Sequence, residues 1–450
     1  MFMGYRWPAR HSQFRGAVGA SVLALGLGTA APPALALKVE EIVSPAGITA
    51  WLVEEHSVPL VAINFAFVGG AAQDPSGKEG LTGLVSDLLT EGAGDMPAAA
   101  FKDKLSRLGT RLTTTAGRDA LYGGLETLSA RLKPSVELLR SALVAPRFDG
   151  DAVERSRAQR LADLAVAADQ PTRVSLERWY VEAFSGSSYG RPLDGTPQTV
   201  ARLTRDDVVA QHARLLAKDT LRIVIVGDID KSVAAETIDL VFGGLPGQAK
   251  LVPVERVAPR TLPAPLVIDK DYPLATATFG LPSLPSDHPD FAALEVLNHI
   301  IGSGDFDSRL MEEVRVKRGL AYSIRTGLLG DSATSVVIGG FATKNEVMGT
   351  ALAVVRDVLA TTARNGPTLA QFENAKRYLV GSFLLDFDTN AKVANSLLRI
   401  RLEGKAPDYL LTRNQKVNSV TFEAVKRVAV QVFGAGTMLV TIAGKPILAP

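Results

Sequence analysis

The strongest constraint on this chain is that part of it is written twice. Residues 200–229, VARLTRDDVVAQHARLLAKDTLRIVIVGDI, run without a gap against residues 417–446, VNSVTFEAVKRVAVQVFGAGTMLVTIAGKP. Val200 falls on Val417, Thr204 on Thr421 and Gly227 on Gly444, each pair 217 positions apart. Both copies read as an N-capping Thr, an amphipathic helix, a short loop and a β-branched strand closed by Gly. Two copies are too few to stack as a solenoid, so the pattern specifies two sister domains. A chain of 450 residues has room for both, each with its own core.

The N-terminus reads as a secretory leader. Arg6, Arg10 and Arg15 stand with no acid among them before the apolar run Ala17–Ala31, and Ala34-Leu35-Ala36 follows as a small-x-small cleavage site. Fifteen residues rich in Gly and Ala fall short of the roughly 20 that span a bilayer. The expectation is a signal peptide over 1–36, cleavage after Ala36 and export, with a periplasmic location and no membrane span in the mature protein. Its loss takes away three positive charges and moves the formal balance from +2 to −1. No basic excess remains to track nucleic acid. The chain has no cysteine, which excludes disulfides, thiolate zinc sites and a Cys nucleophile.

Pro246, Pro253, Pro259, Pro263 and Pro265 fall within twenty residues and resist both helix and central strand. This places a first domain at 37–250, a linker at 251–266 and a second domain at 267–450. In the first, Ile48–Val53 and Leu60–Val68 read as strands. Leu81, Leu84, Val85, Leu88 and Leu89 then form the stripe of a helix. Further helices are expected at Phe101–Leu108, Leu132–Leu143 and 151–168, with a strand pair at Leu112–Ala116 and Ala120–Thr127. The second half repeats the plan with strand Ala275–Gly280, helices Phe291–Ile301 and Ser308–Lys317, strands Ala321–Leu328 and Ser335–Ala342, and helices from Asn345 onward. The fold class is α+β: two α/β sandwich domains, each with helices over an antiparallel-leaning sheet.

Chemistry-bearing motifs are sparse. Past the leader the histidines are His56, His212, His288 and His299, and no two stand at helical ligand spacing, so no local metal motif exists. Each reads as a surface or packing residue. No Gly-x-Ser-x-Gly elbow or phosphate loop occurs, and the GSG at 302–304 reads as a flexible loop. The stretch 307–322, DSRLMEEVRVKRGLAY, is more pointed. Leu310, Met311 and Val314 give a helix stripe, Lys317 and Arg318 suit its C-terminal end, and Gly319 is a natural cap. The reversal after it can bring Arg315 and Tyr322 to one mouth. An exposed Arg and a half-buried Tyr without a role is the alternative.

These segments resemble the pitrilysin/insulinase family of zinc peptidases, in particular its short two-domain members such as the mitochondrial processing peptidase. That family carries an inverted zinc motif, H-x-x-E-H, on the helix after the second strand, in a pattern like G-L-A-H-F-L-E-H. Here the segment is Gly80-Leu81-Thr82-Gly83-Leu84-Val85-Ser86-Asp87. Gly83 and Asp87 replace the histidines and Ser86 the catalytic glutamate. The third ligand, a glutamate, falls near Asp163. The resemblance therefore implies a pitrilysin-like scaffold with a degenerate zinc site, and two carboxylates without imidazole make a poor one.

The second half keeps what the first lost. The family pattern L-R-x-x-x-G-L-x-Y is matched by Val314-Arg315-Val316-Lys317-Arg318-Gly319-Leu320-Ala321-Tyr322. In the family this pair reaches the substrate carbonyl beside the zinc, where its donors would stabilise the oxyanion. The loop with Gly302 and Gly304 resembles the substrate-facing segment before that helix. The resemblance thus implies a non-catalytic subunit, similar to the alpha subunit of mitochondrial processing peptidase. A homologous H-x-x-E-H partner would hold zinc in a heterodimer, and Arg315 and Tyr322 would act in trans on a peptide substrate. The competing expectations are an inactive scaffold, a homodimeric peptide-binding protein, and a residual metallopeptidase using Asp87 and Asp163.

Overall fold

The computed structural model describes residues 37–448, so the leader expected over 1–36 lies outside the described residues. The first half builds β1 (Glu40–Val43), β2 (Thr49–Glu54), β3 (Leu60–Val68), β4 (Arg111–Ala116), β5 (Ala120–Leu128) and β6 (Leu221–Gly227) into a sheet of order β1-β2-β6-β3-β5-β4. The second half builds β7 (Leu266–Asp269), β8 (Ala275–Pro282), β9 (Ile324–Asp331), β10 (Thr334–Thr343) and β11 (Leu439–Gly444) into a sheet of order β9-β10-β8-β11-β7. Within each sheet the neighbours pair antiparallel, except the parallel pairs β2–β6 and β7–β11. The second order is the first without its outermost strand, as the internal repeat requires.

Local chemistry explains the matching ends. Thr204 and Thr421 both accept a hydrogen bond three residues on, from the backbone N–H groups of Asp207 and Ala424, and so cap the helices Arg205–Leu215 and Phe422–Phe433. Gly227 and Gly444 end the following strands at φ 137° and 144°, a backbone region that side chains with a Cβ disfavour. The central strand β3, LVAINFAFV, is buried from Val61 to Phe67, which accounts for its unbroken apolar run. The edge strand β4, RLTTTA, alternates exposed and half-buried residues, as a strand with one open side does.

What closes the molecule is an exchange of helices between the halves. The helix Pro171–Ala183 from the first half lies on the second sheet. There Ser175 Oγ donates to the Thr441 carbonyl at 2.9 Å and Trp179 Nε1 to the Leu439 carbonyl at 3.2 Å. A Cβ at Gly280 would sit 2.8 Å from Trp179 Cε2, so a glycine on β8 makes room for the indole. In return the helix Asn390–Leu402 from the second half lies on the first sheet. Asn390 Nδ2 donates to the Leu60 carbonyl at 3.2 Å, and Arg401 Nη1 to the Ile223 carbonyl at 2.5 Å. Trp179, Phe184, Tyr189, Val336, Ile338 and Leu439 form a buried cluster joining the two halves. Each sheet is thereby covered on both faces, which neither half could achieve alone.

Three expectations shift in the second half. The helix expected at Phe291–Ile301 is α-helical only over Phe291–Asn298 and continues as a π-helical turn, His299–Ser303. The helix expected at Ser308–Lys317 is π-helical over Met311–Val316. The wider turns are visible as Gly304 N–H to His299 carbonyl and Lys317 N–H to Glu312 carbonyl bonds, each spanning five residues. The strand expected from Ala321 starts only at Ile324, which leaves Tyr322 in the connecting loop. No helix among the described residues is long and apolar enough to cross a membrane.

Candidate functional site

The helix Leu81–Leu88 follows β3 after a 3-10 turn at Ala71–Gln73 and buries Leu81, Leu84, Val85 and Leu88 in the first core. Its N-terminal end is fixed by Asp74, a buried carboxylate that accepts from the backbone N–H groups of Gly80 at 3.0 Å and Thr82 at 2.9 Å. The Thr82 hydroxyl and Gln211 also donate to it. Burial raises the Asp74 pKa to about 6, against the pull of these donors.

Gly83, Ser86 and Asp87 fall on successive turns of this helix, where the family resemblance places its metal ligands and general base. The space they would need is filled by a residue that the sequence reading did not single out. Arg160, on the helix Gly150–Ala167, lays its guanidinium across Gly83. A Cβ at position 83 would lie 2.6 Å from Arg160 Cζ and 2.5 Å from Nη2. Arg160 Nε stands 2.6 Å from Asp87 Oδ2, and its Nη1 is 3.9 Å from Asp194. Asp194 is in turn ion-paired with Arg173.

Burial raises the Asp87 pKa by desolvation, the Arg160 charge pulls it back down, and the Asp163 and Asp194 charges push it up again. Asp163 accepts a hydrogen bond from Gln159 Nε2 at 2.9 Å. The Ser86 hydroxyl is buried without a hydrogen-bond partner among the described residues. A zinc ion does not fit this arrangement. A fixed cation stands where another would have to enter, and no imidazole is present. No cluster of three or more His, Cys, Asp or Glu that could hold a metal occurs among the described residues. Arg160 was legible only in part: it stands one helical turn before Asp163, so both face the same side.

The histidines behave as packing and surface groups. His212 Nε2 meets the Leu143 carbonyl at 2.9 Å, its pKa lowered by burial and its ring edge-on to Phe148. His56 pairs with Asp228 at 2.9 Å, and His299 stacks on Tyr378.

In the second half Arg315 and Tyr322 do meet. The Arg315 guanidinium lies 4.4 Å from the centroid of the Tyr322 ring and 4.6 Å from that of Phe306, with a ring on each contact. Tyr322 is 81% exposed and Phe306 59%, so the alternative of a half-buried tyrosine does not hold. The neighbouring cations are spoken for: Lys317 pairs with Glu313 at 2.6 Å and Glu312 at 3.0 Å, and Arg318 with Glu313 at 2.5 Å. Arg315 has no carboxylate partner among the described residues, and no hydrogen bond engages its guanidinium or the Tyr322 hydroxyl there. Gly319, at φ 61°, turns the chain so that both side chains emerge together.

Gly302 and Gly304 belong to the wide turn rather than to an open loop. Gly302 is buried against β9, where a Cβ would lie 2.8 Å from the Thr326 backbone nitrogen. Gly304 N–H closes on the His299 carbonyl at 3.0 Å. Phe306, which follows them, is a member of the exposed cluster that the sequence reading missed.

Comparison with known proteins points the same way. Residues 50–197 match the family described as insulinase (peptidase family M16), and residues 202–379 match the peptidase M16 inactive domain. The chain is 27% identical over 348 residues to a Helicobacter pylori protein named non-peptidase homolog YmxG, covering 76% of this chain and 79% of that one. It is 23% identical over 390 residues to a Bacillus subtilis protein named uncharacterized zinc protease YmxG, covering 86% and 94%. The crystal structure of a peptidase M16 inactive domain from Pseudomonas fluorescens superposes with a TM-score of 0.85 at 26% identity, over 92% of this chain and 99% of that one. A protease structure from Helicobacter pylori superposes at 0.82 with 18% identity, over 90% and 99%, and shares the fold.

Proposed function

We infer the role of this chain from two facts together: it belongs to the insulinase (peptidase M16) family, and it is an inactive homologue within it. It serves as the non-catalytic subunit of a heterodimeric, exported zinc endopeptidase. A homologous subunit with H-x-x-E-H holds the zinc and cleaves, while Arg315 and Tyr322 of this chain bind the peptide and donate to its scissile carbonyl oxygen. The observation that carries this reading is a contrast. The first half has a guanidinium where a metal would stand, yet the second half presents an arginine and a tyrosine whose donors are open to a ligand.

The chemistry follows from the two side chains. A guanidinium offers planar N–H donors that stay charged at any working pH, and a phenol offers one directional O–H. Aimed at a carbonyl oxygen that gains negative charge, such donors contribute most when water is excluded, as in a chamber closed by two subunits. The aromatic faces of Phe306 and Tyr322 hold the guanidinium in place before substrate arrives, so less rotamer freedom is lost on binding. Export is supported by the arginine-flanked apolar run and small-residue cleavage site at the N-terminus.

The test is reconstitution. The chain is purified alone and together with an H-x-x-E-H homologue from the same organism, and both are assayed on unfolded peptides. Activity is expected only in the mixture. Full activity of the partner without this chain would leave an inactive scaffold as the better account.

A further inference from the structure

Where the exchanged helix Asn390–Leu402 runs off the first sheet, the structure leaves a cavity of about 380 Å³. It is walled by Glu41, Thr49, Trp51, Arg222, Arg401 and Lys405, with the backbone of residues 404–407 closing one side. A second cavity of about 300 Å³ shares Thr49 and Arg222 and adds Lys218. The first is built from both halves, since β2 and β6 supply one wall and the exchanged helix and the turn after it the other.

Its charge is unusual. Arg401 is only 8% exposed, yet its guanidinium meets neutral oxygens alone: the Ile223 carbonyl at 2.5 Å, the Thr49 carbonyl at 3.0 Å and the Thr49 hydroxyl at 2.8 Å. Arg222 Nη1 donates to the Leu221 and Asp219 carbonyls at 2.9 and 3.3 Å, and Lys405 Nζ to the Ser286 carbonyl at 2.7 Å. Among the described residues none of these three cations has a carboxylate within ion-pair distance. Glu41 is the single acid in the wall. Burial lowers the Arg401 pKa to about 10, with Glu41 raising it and Arg222 lowering it further. A buried cation is ordinarily paired, because desolvation without a counter-charge is costly. Here one acid, Glu41, faces three cations without pairing any of them, and a cavity stands beside them. Trp51, whose ring centroid lies 5.6 Å from Arg401 Cζ, is only 2% exposed and backs the arginine from the core side.

We propose that this cavity is a binding site for a small ligand bearing a doubly charged oxyanion group, phosphate or dicarboxylate, held by Arg222, Arg401 and Lys405. Guanidinium groups suit the head group because their N–H donors match the spacing of its oxygens. Occupancy supplies further negative charge and ties the exchanged helix to the sheet, so the ligand stabilises the fold by mass action. This site shares no residue with the Arg315/Tyr322 cluster and does not depend on the proteolytic reading.

The test follows thermal unfolding of the purified chain during titration with inorganic phosphate and, separately, with citrate, against chloride at equal ionic strength. A saturable rise in Tm beyond the chloride control is expected for at least one of them. Phosphate alone acting would assign a phosphorylated ligand, citrate alone a polycarboxylate, and both would leave the shared chemistry standing. Because Arg401 also joins helix to sheet, the diagnostic variants are Arg222→Ala and Lys405→Ala. Each should raise the apparent Kd about tenfold, the effect of losing one charge-assisted contact. Glu41→Gln should lower it. Shifts no larger than those of chloride, or shifts that survive the double variant unchanged, would overturn the proposal.

Discussion

Arg160 Nε stands 2.6 Å from Asp87 Oδ2, and the same guanidinium covers Gly83 so closely that any side chain there would have to displace it. Two of the four positions that distinguish this chain from a zinc peptidase, Gly83 and Asp87, therefore meet one arginine. Gly83 gives up a side chain to admit the guanidinium, and Asp87 balances its charge.

Rebuilding the motif should fail while Arg160 remains. The variant Gly83→His/Ser86→Glu/Asp87→His is expected to purify with well under one zinc per chain, because the new imidazole collides with the guanidinium. Adding Arg160→Ala and Asp163→Glu should raise the zinc content measured by elemental analysis. Stoichiometric zinc in the variant that keeps Arg160 would contradict this account of the site.

Gly83→Ala tests the same contact through stability. The added methyl overpacks the site, and a loss of about 1–3 kcal/mol is expected in denaturant unfolding. In an Arg160→Ala background the same change should cost much less. A double-mutant cycle that shows additivity would mean the two residues do not oppose each other.

Arg315→Ala and Tyr322→Phe are expected to lower kcat of the reconstituted complex by about 10²–10³-fold, the scale of losing an oxyanion donor. The folded stability of this chain should hardly change, since both side chains lie at the surface. An unaffected rate in the assembled complex would remove the proposed role.

Asp74 makes a prediction about pH. Its folded pKa of about 6 lies above the ordinary aspartate value of 3.8, so between these pH values the native state holds a proton that the unfolded chain releases. Stability contributed by this group is fully present below the unfolded pKa and is lost as pH rises through about 6. The integrated effect is at most about 3 kcal/mol. In Asp74→Asn this part of the slope should vanish, as read from unfolding free energies at pH 4 and 7. Identical slopes in the two proteins would show that Asp74 titrates normally.

Trp179→Ala should cost about 3–5 kcal/mol, because the indole is fully buried between the halves. Gly280→Val should be damaging as well, since the indole already occupies the space beside β8. Limited proteolysis should then cut within the proline-rich segment 246–265 faster than in the parent. Unchanged stability in both variants would mean that the exchanged helix does not hold the halves together.

The signals that carried the fold were short-range ones. Thr204 and Thr421 cap helices because a hydroxyl reaches a backbone N–H three residues on, and the stripe Leu81–Leu84–Val85–Leu88 marks one face of a helix. The same logic failed at 299–301 and 311–316, where apolar spacing fits an α-helix but the backbone widens into π-helical turns, the first of which holds Gly302 against β9. It also started the following strand too early, at Ala321.

Sequence by itself determined the duplicated plan, the order of strands and helices over 48–168, and the loss of the imidazole ligands, because each depends on residue identity or on spacing within a few turns. Only tertiary structure decided that each half lends a helix to the other's sheet, that Arg160 lies across Gly83, and that Phe306 joins Arg315 and Tyr322. Those facts depend on which side chains meet across long stretches of chain. A linear period carries no such information, since it fixes the face a residue takes and leaves open what that face will touch.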